Sequence, residues 1–135
     1  MENPFIIKLR IYYQDTDAEG IIYHSKYLDF GERARTEYLI SKGYRQTEMM
    51  KKYNMGFVVK NLNITYNKTA GLEDEIVIKT YVEEIKNASF NFKHLFEKDG
   101  ENLATIDVKV ACVDLSSKRP VRIPEDFKKE LEKDK

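Results

Sequence analysis

The chain carries a single cysteine, Cys112. One thiol allows no internal disulfide and removes the basis for a cysteine-built zinc site. Cys112 lies in an alternating stretch and reads as a small buried hydrophobe. No apolar run approaches the roughly 20 residues of a membrane span. Net charge is also lacking: Lys+Arg and Asp+Glu number 23 each, which argues against a dedicated nucleic-acid binder with its basic excess. The start, Met1 to Phe5, has neither the basic flank nor the apolar core of a signal peptide, so the expected location is cytoplasmic. No repeat, low-complexity segment or linker interrupts the 135 residues, and residues 1–135 are expected to form one domain around one core.

What is present is periodicity. Phe5 to Tyr13 alternates, with Phe5, Ile7, Leu9, Ile11 and Tyr13 on one face, as a half-buried strand does. Gln14 to Gly20 is rich in turn formers. Ser25 to Lys42 reads as the longest helix, with Ser25 placed to cap it and Lys42-Gly43 to stop it. Its apolar stripe is Tyr27, Phe30, Gly31, Ala34 and Tyr38, and Asp29, Arg33 and Glu37 lie opposite. A mid-helix glycine costs about 1 kcal/mol against alanine. On the apolar stripe, Gly31 therefore predicts a very close approach to something flat, such as a sheet. Gln46 to Tyr53 reads as a second, short helix. The rest reads as strands: Phe57–Asn67, Glu75–Ile85, Ser89–Lys98 and Glu101–Val113, then a short edge strand Pro120–Ile123. Asp99-Gly100 is a type I′ hairpin signal. A charged helix, Glu125 to Lys133, ends the chain. Strands joined by short turns, with one long striped helix, imply an α+β fold: an antiparallel sheet wrapped on a helix.

The chemistry concentrates between the first strand and the long helix. Asp15, Asp17, Glu19, Gly20 and His24 crowd a loop that feeds a helix N-terminus. Unpaired N–H groups and the positive end of the helix dipole suit such a place to developing negative charge. Asp17 is either a reacting carboxylate or a loop cap. Asp15 reads as structural, bonding loop amides as turn aspartates do. His24 either orients or protonates a reacting group near neutral pH or simply orders the helix start. The same residues form a competing metal constellation, but catalytic zinc sites bring two or three histidines and only one is local. No metal and no cofactor are expected. His94 reads as a packed strand residue.

The run Asp15-Thr-Asp17-Ala-Glu-Gly20-Ile-Ile-Tyr23-His24-Ser-Lys-Tyr27, followed by Phe30-Gly-Glu-Arg-Ala-Arg35, resembles the signature of hotdog-fold acyl-CoA thioesterases. The nearest branch is the 4-hydroxybenzoyl-CoA thioesterase-like family, including the small bacterial thioesterases associated with the Tol–Pal system. The resemblance implies a five-stranded antiparallel sheet around a long central helix. It implies dimers joined edge to edge, often paired into tetramers, with sites at the subunit interface. It places Asp17 on the family's catalytic carboxylate and His24 on the histidine of its Tyr-His motif. It places the backbone N–H near Tyr23 and His24 on the group that polarises the thioester carbonyl. Glu19 and Gly31 depart from the pattern, since relatives often carry a smaller residue at the first and a larger one at the second.

The substrate side follows from that resemblance. Glu32 matches a position near the acyl group, though pairing with Arg35 is an equal reading. Lys86 matches a basic position for the CoA phosphates, with Arg119, Arg122 and Lys118 as further basic candidates or ordinary surface charges. Thr65 either bonds the pantetheine arm or is an ordinary strand threonine. Met49, Met50 and Tyr53 either line a flexible acyl pocket or pack as core. The expected activity is hydrolysis of acyl-CoA to free acid and CoA, with Asp17 as general base or nucleophile. An acyl-carrier-protein thioester is the alternative substrate, and a non-catalytic acyl-CoA-binding or assembly module the alternative class.

Overall fold

The computed structural model describes residues 3–135; Met1 and Glu2, part of the stretch read for a signal peptide, lie outside the described residues. The elements run β1 (Phe5–Arg10), a single 3₁₀ turn at Tyr13–Asp15, α1 (Lys26–Ser41), α2 (Gln46–Tyr53), β2 (Met55–Tyr66), β3 (Glu75–Glu83), β4 (Ser89–Lys98), β5 (Glu101–Asp114) and α3 (Glu125–Asp134). The strands form one antiparallel sheet in the order β1-β3-β4-β5-β2. The two edges are unequal: β1 has 6 residues and β2 has 12, and most of β2 is exposed.

Alternation decides which face is buried. Ile76, Ile78, Thr80 and Val82 of β3, Phe90, Phe92, His94 and Phe96 of β4, and Ala104, Ile106, Val108, Val110 and Cys112 of β5 all point to one face and are buried. On β2 the apolar residues fall out of step, at Phe57 and Val59 and then at Leu62 and Ile64. A register shift between Val59 and Asn61 absorbs Lys60 as an extra residue. The bulge returns Leu62, Ile64 and Tyr66 to the inner face. At the β4–β5 hairpin Asp99 and Gly100 have φ of 51° and 79°, the left-handed pair a type I′ turn requires.

The sheet closes on α1. Tyr27, Phe30, Gly31, Ala34, Tyr38 and Leu39 are its buried residues, and each large apolar side chain so removed from water contributes roughly 1.5–3 kcal/mol. The very close approach expected at Gly31 is not what the packing shows, because a Cβ there would meet the sheet side chains at ordinary contact distance and its tightest neighbour is the movable end of Arg35. A Cβ there would lie 3.5 Å from both His94 of β4 and Ile106 of β5, and 3.3 Å from the Arg35 guanidinium. α3 plugs the remaining end, with Phe127 packed on Tyr44, Phe57 and Phe90. Its Asp134 accepts the Tyr38 hydroxyl at 2.6 Å and pairs with Lys42 at 2.7 Å. Burial and that carboxylate push the Tyr38 hydroxyl well above its usual range.

Three local expectations change. Ser25 is helical itself (φ −76°, ψ −14°) and makes no side-chain cap; the helix is entered through a turn in which the Lys26 N–H donates to the Tyr23 carbonyl. Tyr13 leaves the strand for the 3₁₀ turn and is 81% exposed. Pro120–Ile123 is no strand. It makes one bridge, Pro120 to Val113, then bonds from the Val121 N–H to Cys112 and from the Ile123 N–H to Asn87. Proline has no N–H to extend a ladder.

A polar chain crosses this core. Arg35 Nη1 lies 3.3 Å from His94 Nε2, and His94 Nδ1 lies 2.9 Å from the Thr80 hydroxyl. A guanidinium only donates, so Nε2 accepts and the imidazole proton sits on Nδ1. Burial, aided by the Arg35 charge, pushes the His94 pKa from 6.5 to about 3. The unfolded chain takes up a proton near pH 6.5 that the folded chain refuses until about pH 3. Native stability is therefore present in full above pH 6.5 and erodes as pH falls toward 3, by on the order of a few kcal/mol from this residue. His94→Gln is expected to flatten that part of the pH profile, measured by urea unfolding at pH 7, 5.5 and 4.5 against the wild type.

Candidate active site

The loop from Asp15 to His24 is a small folded unit. Thr16 bridges to Ile22, the Asp17 N–H donates to the Ile21 carbonyl at 2.9 Å, and the Gly20 N–H donates to the Asp17 carbonyl at 3.0 Å. Gly20 takes the left-handed conformation (φ 79°) that closes the turn. Asp17 stands exposed at the start of this turn, where its Oδ1 accepts the Glu19 N–H at 2.9 Å. Asp15 is buried beneath it. Its Oδ2 accepts the Tyr12 N–H at 2.8 Å, and its carbonyl accepts the Tyr23 N–H at 2.9 Å. One aspartate thus builds the loop and the other is presented by it.

Those bonds separate the two amides at the helix start. The Tyr23 N–H is taken by Asp15, whereas the His24 N–H has no partner among the described residues. The His24 carbonyl is fixed by the Tyr66 hydroxyl at 2.8 Å, and the Tyr23 and His24 rings lie 4.5 Å apart. Tyr27, one turn on, packs edge-on against Tyr66 and Phe96. Burial, with Tyr66 beside it, pushes the Tyr27 hydroxyl up to about 12. Tyr66 therefore ties edge strand β2 to the Asp15–His24 loop. Only its place after the Lys60 bulge puts it there, so simple alternation does not reveal it.

A cavity of about 270 Å³ opens between α1, α2 and the inner face of β2, β4 and β5. Leu39, Phe57, Phe90 and Val110 form much of its wall, and Glu32, Arg35, Thr36 and Gln46 supply the polar groups. Glu32 is exposed at this cavity and makes no ion pair with Arg35 within 4 Å among the described residues; it acts on Arg35 through charge alone. Of the short-helix residues, Met49 is buried in the core, while Met50 and Tyr53 are exposed. No cluster of three His, Cys, Asp or Glu side chains among the described residues has the arrangement a metal needs.

The thioesterase-like superfamily model matches residues 12–131. The chain is 41% identical over 128 residues to the acyl-CoA thioesterase YbgC of Haemophilus influenzae, covering 95% of this chain and 94% of that one. It is 34% identical to the acyl-CoA thioester hydrolase YbgC of Escherichia coli O157:H7, covering 86% and 87%. Its fold matches the DHNA-CoA thioesterase of Staphylococcus aureus with a TM-score of 0.84 at 26% identity, covering 94% and 85%. The chain belongs to the thioesterase-like superfamily. It has the hotdog fold, and it is a thioester hydrolase.

In this thioesterase-like chain the remaining site residues stand apart from the loop. Thr65 is exposed on the outer face of β2, opposite Thr105 and turned from Tyr66. Lys86 is exposed in the β3–β4 loop, where its N–H donates to Ser89. The neighbouring Asn87 accepts the Ile123 N–H and the Lys128 ammonium, which brings exposed Arg122 to the same end. Arg119 is exposed in the turn after β5, its carbonyl accepting the Asp114 N–H. These basic residues sit where Ser89 pairs with Ala111, while the loop sits where Tyr66 pairs with Ala104. From Ala104 to Ala111 along β5 is roughly 24 Å at about 3.4 Å per residue.

Gly71 carries the loop. The Leu72 N–H donates to the Gly20 carbonyl, and a Cβ on Gly71 would sit 2.8 Å from that oxygen. A clash with backbone cannot be relieved by a rotamer change. Gly71→Ala is expected to displace the Asp17 turn and lower turnover at least tenfold, with circular dichroism unchanged and Tm lowered by only a few degrees; a fully active variant would refute the coupling.

Proposed function

We propose that the chain hydrolyses acyl-CoA thioesters to free acid and CoA, with Asp17 and the His24 N–H as the reacting elements. The observation that carries this reading is the presentation of an exposed carboxylate by the loop that leads into α1, where the His24 N–H is one of the amides left without a partner among the described residues. The His24 N–H receives the developing oxyanion, a role in which one preorganised donor typically contributes 10²–10³-fold. Asp17 takes the proton of an attacking water. In the alternative route its oxygen attacks the acyl carbon and water then cleaves the mixed anhydride. In both routes the carbon–sulfur bond breaks as the oxyanion collapses, and CoA leaves as a thiolate that needs little acid assistance. An acyl-carrier-protein thioester would fit the same chemistry and differ only in the docking partner.

The working unit in this reading is a dimer. The loop lies at the Tyr66 end of β2, while the cavity and the basic group lie at its Met55 end. Neither end alone holds both reacting atoms and substrate. A long exposed edge strand invites pairing, and a two-fold pairing of β2 with its copy runs antiparallel. It sets the Tyr66 end of one protomer beside the Met55 end of the other. The resulting site takes Asp17 and His24 from one chain, and the acyl cavity with Lys86, Arg119 and Arg122 from the other. Thr65, on the outer face, stays outside this assignment.

Asp17→Asn is expected to lower turnover of acyl-CoA at least a hundredfold with binding nearly intact, measured by thiol release and by calorimetry; near-normal release would end the assignment. The two-chain site has its own test. Asp17→Asn and Lys86→Glu/Arg122→Glu proteins, each impaired alone, are expected to regain activity at low substrate when co-expressed as mixed dimers, because one of the two sites is then intact. No recovery in verified mixed dimers would place the site within one chain.

A further inference from the structure

The cavity beside α1 has an apolar wall on the sheet side and a polar flank of Glu32, Arg35, Thr36 and Gln46, and one of these groups is a cation that hydrocarbon does not satisfy. Arg35 is half-buried in its wall. Of the five donors of its guanidinium, the only bond among the described residues is to His94 Nε2. That bond spends one donor and brings no charge, because His94 is neutral and already committed to Thr80. Glu32, one helical turn back, also lines the cavity and acts on Arg35 through charge, but it lies beyond ion-pair distance and occupies none of the guanidinium's donors among the described residues. Thr36 and Gln46 are bonded to each other at 3.4 Å. The guanidinium therefore faces the cavity with its fork open, and burial lowers its basicity without removing its charge.

A cation in such a slot favours one kind of occupant. Filling the space with an alkyl chain strips water from Arg35 and returns nothing. A carboxylate matches the planar fork with two parallel charge-assisted hydrogen bonds. The size of the slot sets the second limit. A dry cavity of roughly 150 Å³ holds one benzene ring, so about 270 Å³ seats a short chain or a substituted ring beside Arg35. The position of Arg35 is also well determined. Gly31 leaves the space in which Arg35 and His94 meet, and the His94 ring is stacked on Phe92 at 5.7 Å.

We propose that Arg35, oriented by His94, is a specificity determinant of the acyl cavity and selects a short acyl group whose far end carries a carboxylate. This rests on the acyl-CoA hydrolase reading and on the partner protomer's loop supplying the thioester chemistry. Arg35 contacts the acyl group. His94 acts through Arg35 and is a positioning residue.

The test compares succinyl-, glutaryl- and adipyl-CoA with the alkyl acyl-CoA of equal chain length, spontaneous hydrolysis subtracted. In the wild type, kcat/KM for the best ω-carboxyl substrate is expected to exceed that of its alkyl match at least tenfold. Equal or greater efficiency on the alkyl series throughout overturns the proposal and leaves the hydrolase function standing. In Arg35→Met the ratio is expected to fall below one, through loss on the carboxylated series; a retained preference overturns it. Should that variant not fold, Arg35→Lys, which keeps charge but loses the fork, is expected to cut the ratio several-fold, and an unchanged ratio overturns the assignment. His94→Gln, which still offers an acceptor to Arg35, is expected to retain most of the preference, whereas His94→Leu is expected to lose it with KM rising more than kcat falls. If the wild type turns over neither series, the hydrolase reading fails. The proposal is then read from calorimetry with succinyl-CoA against butyryl-CoA, tenfold tighter binding supporting it and equal affinity overturning it.

Discussion

The approach of α1 to the sheet at Gly31 is the constraint on which the rest depends. At that position the helix packs on the side chains of His94 from β4 and Ile106 from β5 at ordinary contact distance for a Cβ, and the sheet curls around it. Everything functional is then referred to one rigid axis. The loop from Asp15 to His24 hangs from its N-terminus, the cavity opens along its third turn, and α3 is tied to its C-terminus through Asp134. A helix that close to a sheet cannot rotate without driving side chains into backbone, because interiors are packed at crystal-like density.

A second close approach positions the chemistry. Gly71 lets the Gly20 carbonyl sit where a Cβ would be, so the reactive turn is clamped from outside by the β2–β3 connection. The buried Asp15 clamps it from inside, bonding Tyr12 with its carboxylate and Tyr23 with its carbonyl. Two aspartates two residues apart thus hold opposite roles. The buried one is consumed by the fold, and the exposed one remains available to a substrate.

Much of this was legible in the sequence because it depends on period. The stripe Tyr27, Phe30, Gly31, Ala34, Tyr38 marks α1 and its buried face. Alternation marks β3, β4 and β5, and Asp99-Gly100 marks their hairpin. Gly31 marked the buried face but overstated the closeness, since a Cβ there would sit at ordinary contact distance from His94 and Ile106. What was hidden depends on register or on three-dimensional adjacency. The extra residue at Lys60 flips every later side chain of β2, so Tyr66 reads as outward until the bulge is counted. Pro120–Ile123 has a strand's composition, but Pro120 has no N–H and the segment's remaining bonds turn from Cys112 to Asn87 after a single bridge. Lys86 and Arg122 come to one end only through the Ile123–Asn87 bond, and no spacing rule connects them. Arg35 flanks the apolar stripe as any surface arginine does; only the position of His94, on a distant strand, reveals what it faces.

In the proposed dimer, the division of the site between two chains follows from lengths. His24 stands just before α1 and Arg35 on its third turn, and at about 1.5 Å per residue the eleven steps between them span roughly 16 Å. A cavity of about 270 Å³ is short for an acyl group of that length, which is why the proposed pairing feeds the cavity on the third turn from the loop of a second chain. In the proposed two-fold pairing the helices of two protomers meet the same substrate from opposite directions. One contributes its N-terminal amide to the thioester carbonyl, and the other contributes its flank to the acyl end. A single helix could not do both, because the feature that stabilises an oxyanion exists only at its terminus, whereas a pocket against a sheet needs its middle. Pairing two copies resolves that geometric conflict, and it covers the long β2 edge with the same contact.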